Sequence, residues 1–311
     1  MSFIYIMHEN HEWAAPLKAA LEQAALPYQE WFLAEGTLNF SQKPPKGVFC
    51  NRMSASSHTR NHPHAVAYTA ATLSWLESYG RRVVNNSRAL HLEVSKVAQY
   101  TALNAGGILT PFTVAAVGRD EIVQAAGEFK GPFITKHNCG GKGLGVQLFK
   151  SREALKEYVE GPDFACPVDG ITLLQEYIDS PDPYITRCEF IGGKFYYAVQ
   201  VNTSEGFELC PADACQVGDA FCPVGGSSAP KFKIIQGFQH PILQRYEDFL
   251  ESNEIEIAGI EFIRNDKGQL YTYDINTNTN YNSAAEAEAG VSASRKVAEY
   301  LGGELKKLSS V

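Results

Sequence analysis

Two carboxylates and an amide stand inside a pair of apolar stretches, Gly259-Ile260-Glu261-Phe262-Ile263 and Leu270-Tyr271-Thr272-Tyr273-Asp274-Ile275-Asn276. The Asn265-Asp266-Lys267-Gly268 turn between them signals a hairpin. Side chains alternate along a strand, so Asp274 and Asn276 share a face, and Glu261 on the partner strand reaches the same face. Acids inside apolar strands are costly unless they are paired or hold a cation. Two carboxylates and an amide oxygen are hard ligands that suit Mg²⁺. Acids on a solvent-facing edge hairpin are the plainer reading, weakened by the polar run Thr277-Asn278-Thr279-Asn280 that follows.

A second stretch runs from Phe133 to Val146. A strand enters, Gly140, Gly141, Gly143 and Gly145 turn the chain, and a strand leaves. Glycines let backbone N–H groups approach a polyanion, and Lys136 and Lys142 add positive charge. The pattern GxxxxGK[ST] is absent and a strand, not a helix, follows, so neither a Walker loop nor a dinucleotide fingerprint is present. A flexible hairpin tip is an equal alternative. In a third stretch the apolar strand Leu173-Leu174-Gln175 exits through Glu176, Tyr177 and Ile178, where backbone groups are available to an adenine edge. Many strands end this way.

These stretches need elements to hold them. Short apolar strands at 3–7, 28–33, 46–51 and 82–85 alternate with helical spacing at 12–25 and 65–79, the βαβ pattern of a parallel sheet that ends near residue 86. A helix is expected over 92–105, then a strand broken by Pro111, a strand at 132–137 and short helices at 120–128 and 152–159. Strands follow at 171–178, 184–191, 194–202, 258–264 and 269–276, with a closing helix at 284–301. The irregular stretch 203–232 is long enough to be functional or disordered, and the tail 306–311 is expected to fray. Arg52, His58 and Arg60 follow the strand at 46–51. Ligands of open parallel sheets sit beyond such strand ends, so these residues could hold a substrate carboxylate; a solvated loop is the alternative.

Composition bounds the class. The 311 residues carry a net charge of −8, which argues against general nucleic-acid or anionic-membrane binding. No apolar run approaches the roughly 20 residues that span a bilayer, and the start Met1–Trp13 reads as a first strand, not a signal peptide. Seven cysteines, an odd number without a CxxC pair, read as free thiols of a reducing, cytoplasmic setting. Zinc binding by Cys210, Cys215 and Cys222, or metal binding by His58, His62 and His64, are minority readings.

The order and spacing of the three stretches resemble the ATP-grasp superfamily, within it most closely the ligases related to RimK, a glutamate ligase. The resemblance covers essentially the whole chain, most specifically residues 85–282. It implies an α/β (α+β) chain with the ATP-grasp fold: an N-terminal α/β preATP-grasp domain (1–86), a central lobe with the glycine-rich lid (87–175) and a C-terminal lobe with the metal site (176–311). Lys96 and Lys136 are then the phosphate-binding lysines, Gly140, Gly141, Lys142, Gly143 and Gly145 the lid, and Glu176, Tyr177 and Ile178 the adenine hinge. Arg187 is the arginine beside the transferred phosphoryl group; Glu261, Asp274 and Asn276 are the Mg²⁺ set, with Mn²⁺ as the alternative ion. Where relatives carry an Asp two residues before the arginine, this chain has Ile185, so a ribose contact passes to Asp179 or Asp182, or is lost. The implied activity is ATP-dependent amide formation through an acyl phosphate, on a small amino acid or peptide. Addition of amino acids to a protein tail and non-catalytic nucleotide binding are the alternatives. The implied partners are ATP and small carboxylate and amine substrates, with no nucleic acid and no membrane; self-association into a homo-oligomer is left open.

Overall fold

In the structure, a computed structural model that describes residues 2–141, 143, 145–203 and 231–309, the apolar runs become three sheets. The first is formed by β1 (Phe3–His8), β2 (Tyr28–Phe32), β3 (Gly47–Asn51) and β4 (Arg82–Val84), with α1 (His11–Gln23) and α2 (Ala65–Ser78) as crossovers. Its order is β2-β1-β3-β4 and its pairings are parallel.

Two helices follow, α3 (Ser87–Val94) and α4 (Lys96–Ala105). The sequence pattern suggested one helix over 92–105. Ser95 breaks it: its backbone is extended (φ −139°), and its side chain accepts from the N–H of Ala98 as an N-cap. The break places Lys96 at the first position of α4.

The second sheet comprises β5 (Thr113–Val117), β6 (Phe133–His137), β7 (Gln147–Phe149) and β8 (Ile171–Glu176), in the order β5-β8-β6-β7, with α5 (Arg119–Ala125) and α6 (Arg152–Glu160) beside it. The third contains β9 (Tyr184–Ile191), β10 (Lys194–Asn202), β11 (Phe232–Ile235), β12 (Ile257–Arg264) and β13 (Leu270–Asn276), in the antiparallel order β11-β10-β9-β12-β13. Between β11 and β12 lies α7 (Ile242–Ser252), and neither β11 nor α7 was expected. The signal for α7 was present: Ile242, Tyr246, Phe249 and Leu250 recur at helical spacing, and all four are buried.

The chain closes with α8 (Ser283–Ala289) and α9 (Ala293–Ser309). Gly290, at φ +70°, ends α8 where a single helix over 284–301 was expected, because only glycine adopts this conformation without strain. Lys306 and Lys307 belong to α9 and not to a frayed tail. Among the described residues, no helix is long and apolar enough to cross a membrane.

Packing joins distant segments. Val297, Ala298 and Leu301 of α9 share one core with Ile4, Ile6 and Val48 of the first sheet and Ile191 and Ile257 of the third. Ala89, Leu92, Tyr100 and Leu103 pack against Phe190, Ile260 and Ile275, so α3 and α4 lie on the third sheet.

Asn85 links the first and third sheets. It is buried at φ +57°, a conformation Asn tolerates better than most residues. Its Nδ2 donates to the carbonyls of Ile257 and Thr277, both at 2.8 Å, and its Oδ1 accepts from the N–H groups of Glu256 and Ile257 at 3.1 and 3.0 Å. Asn85→Ala strands these buried groups and is expected to cost about 2–4 kcal/mol, read as a lowered midpoint in urea unfolding.

Candidate active site

Strand register assembles the centre of the site. Glu261 on β12 lies opposite Arg187 on β9 and opposite Asp274 on β13. Directly opposed residues point to the same face, so a guanidinium and two carboxylates form one row across three strands. The next row is Glu189, Gly259 and Asn276. Gly259 has no side chain, and the Arg187 guanidinium fills that space. A Cβ built there falls 2.5 Å from Nη2 and 2.8 Å from Cζ. Arg187 donates to Glu189 at 2.5 Å and to Glu261 at 2.7 Å, and it also donates to the Thr279 hydroxyl, which in turn donates to Glu189 at 2.8 Å.

Gly259→Ala must push the guanidinium out of this row. Turnover is expected to fall at least about tenfold, a displacement effect of the kind that misplaced catalytic groups show, while circular dichroism stays native. A glycine inside an apolar strand is a known sign of close approach; the sequence carried that signal, but not what approaches.

The lysines enter from other elements. Lys96 Nζ donates to Asp274 Oδ1. Lys136, buried on β6, donates to the Tyr100 hydroxyl, and its ammonium lies 4.9 Å from the Tyr100 ring centroid and 5.9 Å from that of Tyr273. Neither tyrosine was singled out from sequence, because the contact joins α4, β6 and β13. Burial, reinforced by the Lys96 charge, pushes the Lys136 ammonium down to about 7. Burial drives the Asp274 carboxyl upward, but Lys96 and then Lys136 outweigh it and hold the carboxyl below its ordinary range. Glu261 goes the other way: burial raises it, and Arg187 offsets only part of that.

These groups line one cavity of about 340 Å³, within the range of small-molecule sites. Its walls include Lys96, Lys136, Arg187, Glu261, Asp274, Asn276, Gly140, Gly141, Gly143, Glu176, Tyr177, Ile178 and Asp182. Thus most of the predicted set meets in one place. Asn276 donates to Asp274 Oδ2 at 3.4 Å, the Glu176 carboxylate accepts from the N–H of Phe112 at 2.7 Å, and Asp182 pairs with Arg264 at 2.6 Å. Gly145, at φ +71°, packs against His137, whose ring a Cβ would meet at 2.5 Å. Lys142 and most of the 203–232 stretch, with Cys210, Cys215 and Cys222, lie outside the described residues.

Arg52, His58 and Arg60 are not among the lining residues. Arg52 is buried and donates to the carbonyl of Thr279 and to Asn280 Oδ1, both at 3.2 Å. Arg60 pairs with Glu9 at 2.5 Å and lies over the Trp13 ring, and Trp13 does line the cavity. His62 contacts Glu9 at 3.0 Å. Glu93 was missed by the sequence reading: its carboxylate accepts from the N–H groups of Thr277 at 2.6 Å and Asn278 at 3.3 Å and so holds the segment after β13 against α3. Cys139 donates to the Ala55 carbonyl, and burial pushes its thiol up to about 11, a poor setting for a thiolate nucleophile.

The donor set fits a hard divalent cation. Glu261, Asp274 and Asn276 offer oxygens only, as Mg²⁺ prefers, and Asn278 Oδ1, on the same wall, is buried without a hydrogen-bond partner.

No family model matches the chain. A probable alpha-L-glutamate ligase of Thioalkalivibrio sulfidiphilus is 31% identical over 140 residues, which is 45% of this chain and 46% of that protein. The chain therefore spans about half the length of that curated relative. Among solved structures, a RimK domain ATP-grasp protein of Sphaerobacter thermophilus superposes with a TM-score of 0.66 at 16% identity, covering 96% of this chain and 99% of the other. D-alanyl-alanine synthetase A of Vibrio cholerae superposes with a TM-score of 0.65 at 12% identity, covering 98% of each. With its three sheets and central cleft, the chain has the ATP-grasp fold, and over about half its length it is similar in sequence to alpha-L-glutamate ligases.

Proposed function

We propose that the chain is an ATP-dependent carboxylate–amine ligase that forms an amide bond through an acyl phosphate, on a small amino acid or peptide. The observation that carries this reading is the row Arg187–Glu261–Asp274, set in one cleft with Lys96 and Lys136. The likeness to alpha-L-glutamate ligases supports it.

Glu261, Asp274 and Asn276 would hold Mg²⁺, with Mn²⁺ as the alternative ion; bound there, the ion supplies charge neutralisation for phosphate oxygens. On this reading Glu176, Tyr177 and Ile178 receive the adenine and Asp182, which lines the same cavity, contacts the ribose. Lys96 and Lys136 hold phosphates. Lys96 is tied to Asp274, and Arg187 to Glu261. Were Glu261 and Asp274 to hold a cation, Lys96 and Arg187 would be available to phosphate.

A substrate carboxylate oxygen attacks the γ-phosphorus of ATP, the bond to the bridging oxygen breaks, and ADP leaves. An amine then attacks the acyl carbon and loses a proton, and phosphate departs with the electron pair of its C–O bond. Arg187 balances charge on the transferring group and then on the oxyanion. Such catalysis is positioning and charge neutralisation. The loop 138–145 excludes water, because an acyl phosphate hydrolyses.

Lys136 gives the reading a pH signature. With its ligand-free ammonium near 7, the lysine is charged below that pH and neutral above it. Nucleotide affinity without divalent metal is expected to be greatest below pH 7 and to weaken by up to about tenfold per unit above it. Calorimetric ADP titrations from pH 6 to 9 check this, with Lys136→Met expected to bind weakly and without the slope.

The described cysteines Cys50, Cys139, Cys166 and Cys188 are free, and the reading sets the chain in a reducing, cytoplasmic compartment. Partners on this reading are ATP and the two small substrates. The activity is tested by ADP and phosphate release with ATP, Mg²⁺ and amino acids or peptides supplied singly and in pairs, with mass analysis of the products. A product equal to the two substrates less one water is expected. Nucleotide binding without acceptor-stimulated release would overturn the ligase reading.

A further inference from the structure

Away from the cleft, the carboxyl end of β1 gathers another set of ligand atoms. Among the described residues, His8, His11 and Glu30 are the one group of three or more His, Cys, Asp or Glu whose ligand atoms all lie within 4.8 Å of one another. Local geometry builds it. β1 and β2 pair in parallel, with His8 opposite Phe32 and Ile6 opposite Glu30. Residues two apart on a strand share a face, so His8 and Glu30 are diagonal neighbours. His11 opens α1 behind the Asn10 cap. Both imidazoles converge on one oxygen: His8 Nε2 lies 2.8 Å and His11 Nδ1 lies 2.7 Å from Glu30 Oε1.

The two imidazoles are not equivalent. His8 is 2% exposed, its Nε2 set against Glu30 at 2.8 Å and its Nδ1 buried without a hydrogen-bond partner. Phe32 stacks on His11 at 4.6 Å and meets His8 edge-on at 5.8 Å. Lys18 occupies the other carboxylate oxygen at 2.7 Å and leaves Oε1 to the histidines.

We propose that His8, His11 and Glu30 bind a divalent transition-metal ion of the Zn²⁺ type, at a site whose chemistry differs from the all-oxygen set of the cleft. Two imidazole nitrogens and one carboxylate oxygen form a three-ligand zinc set with a fourth position for water, whereas imidazole is a poor ligand for Mg²⁺. Bonds of about 2.1 Å in a tetrahedron separate ligand atoms by about 3.4 Å. Reaching that spacing needs Glu30, whose side chain is 24% exposed, to draw back from His8, and His11, 63% exposed, to turn outward. Lys18 is the competitor for the carboxylate charge.

The test uses the untagged full chain, stripped of metal and held in excess Mg²⁺. Zn²⁺ uptake is measured by equilibrium dialysis, for wild type and for His11→Ala and Glu30→Gln, with folding checked by thermal melts. Wild type is expected to take up one more Zn²⁺ per chain than His11→Ala, with Glu30→Gln at least about tenfold weaker than wild type. Co²⁺ in its place is expected to give a visible absorption that His11→Ala loses. Equal uptake by wild type and His11→Ala, or no stoichiometric uptake, overturns the site.

Discussion

Arg187→Lys is expected to lower turnover by about 10²–10³-fold, the loss seen when one donor to a developing oxyanion is removed. The guanidinium meets Glu189, Glu261 and Thr279 at once, and a planar fork does this where a single ammonium cannot. Lysine keeps the positive charge, so the two buried carboxylates are not left alone, and nucleotide affinity is expected to change by no more than a few fold. Arg187→Ala is the less informative variant. It strands Glu189 and Glu261 in the interior, at about 3–5 kcal/mol, and lost activity would then be mixed with lost folding. ADP release at saturating ATP, calorimetric nucleotide binding and a thermal melt separate the effects. A lysine variant that turns over like wild type would remove Arg187 from the chemistry.

Asp274→Asn is expected to reduce turnover by at least about 10²-fold, given that even groups behind metal ligands are worth 10–100-fold, and excess Mg²⁺ is not expected to restore it. The side chain is both a candidate metal ligand and the partner of Lys96. That double role predicts linkage: a cation held by Asp274 would release Lys96 to phosphate, so Mg²⁺ and nucleotide are expected to strengthen each other's binding by the same factor. The Asn variant loses the coupling. Nucleotide titrations with and without Mg²⁺, on wild type and variant, read it directly. A wild-type Mg²⁺ response in the variant would sink the assignment.

Much of the fold was legible because its signals are local. β9 and β10 span Tyr184–Ile191 and Lys194–Asn202, as read from their apolar runs and the Gly192-Gly193 turn. The expectations that needed correction depended on single residues inside a continuous pattern. Ser95 and Gly290 each interrupt a helix that the apolar spacing alone would continue. Nothing in a hydrophobic period announces a cap that breaks it. The candidate carboxylates were visible because acids are conspicuous in apolar strands. Tyr100, Glu93 and Glu189 were not, since buried polar residues take their meaning from partners far along the chain.

The alternation of strands and helices, the glycine-rich turn and the parity that puts Asp274 and Asn276 on one face are all local to the chain. These are properties of neighbours in the chain, set by backbone geometry and side-chain period. The tertiary structure alone decided that Arg187 and Asp274 flank Glu261, that Gly259 makes room for the guanidinium, and that His8 and His11 meet Glu30. Strand register and lobe packing bring together residues tens to hundreds of positions apart. A one-residue slip would turn each of those side chains to the other face while leaving the sequence pattern almost unchanged.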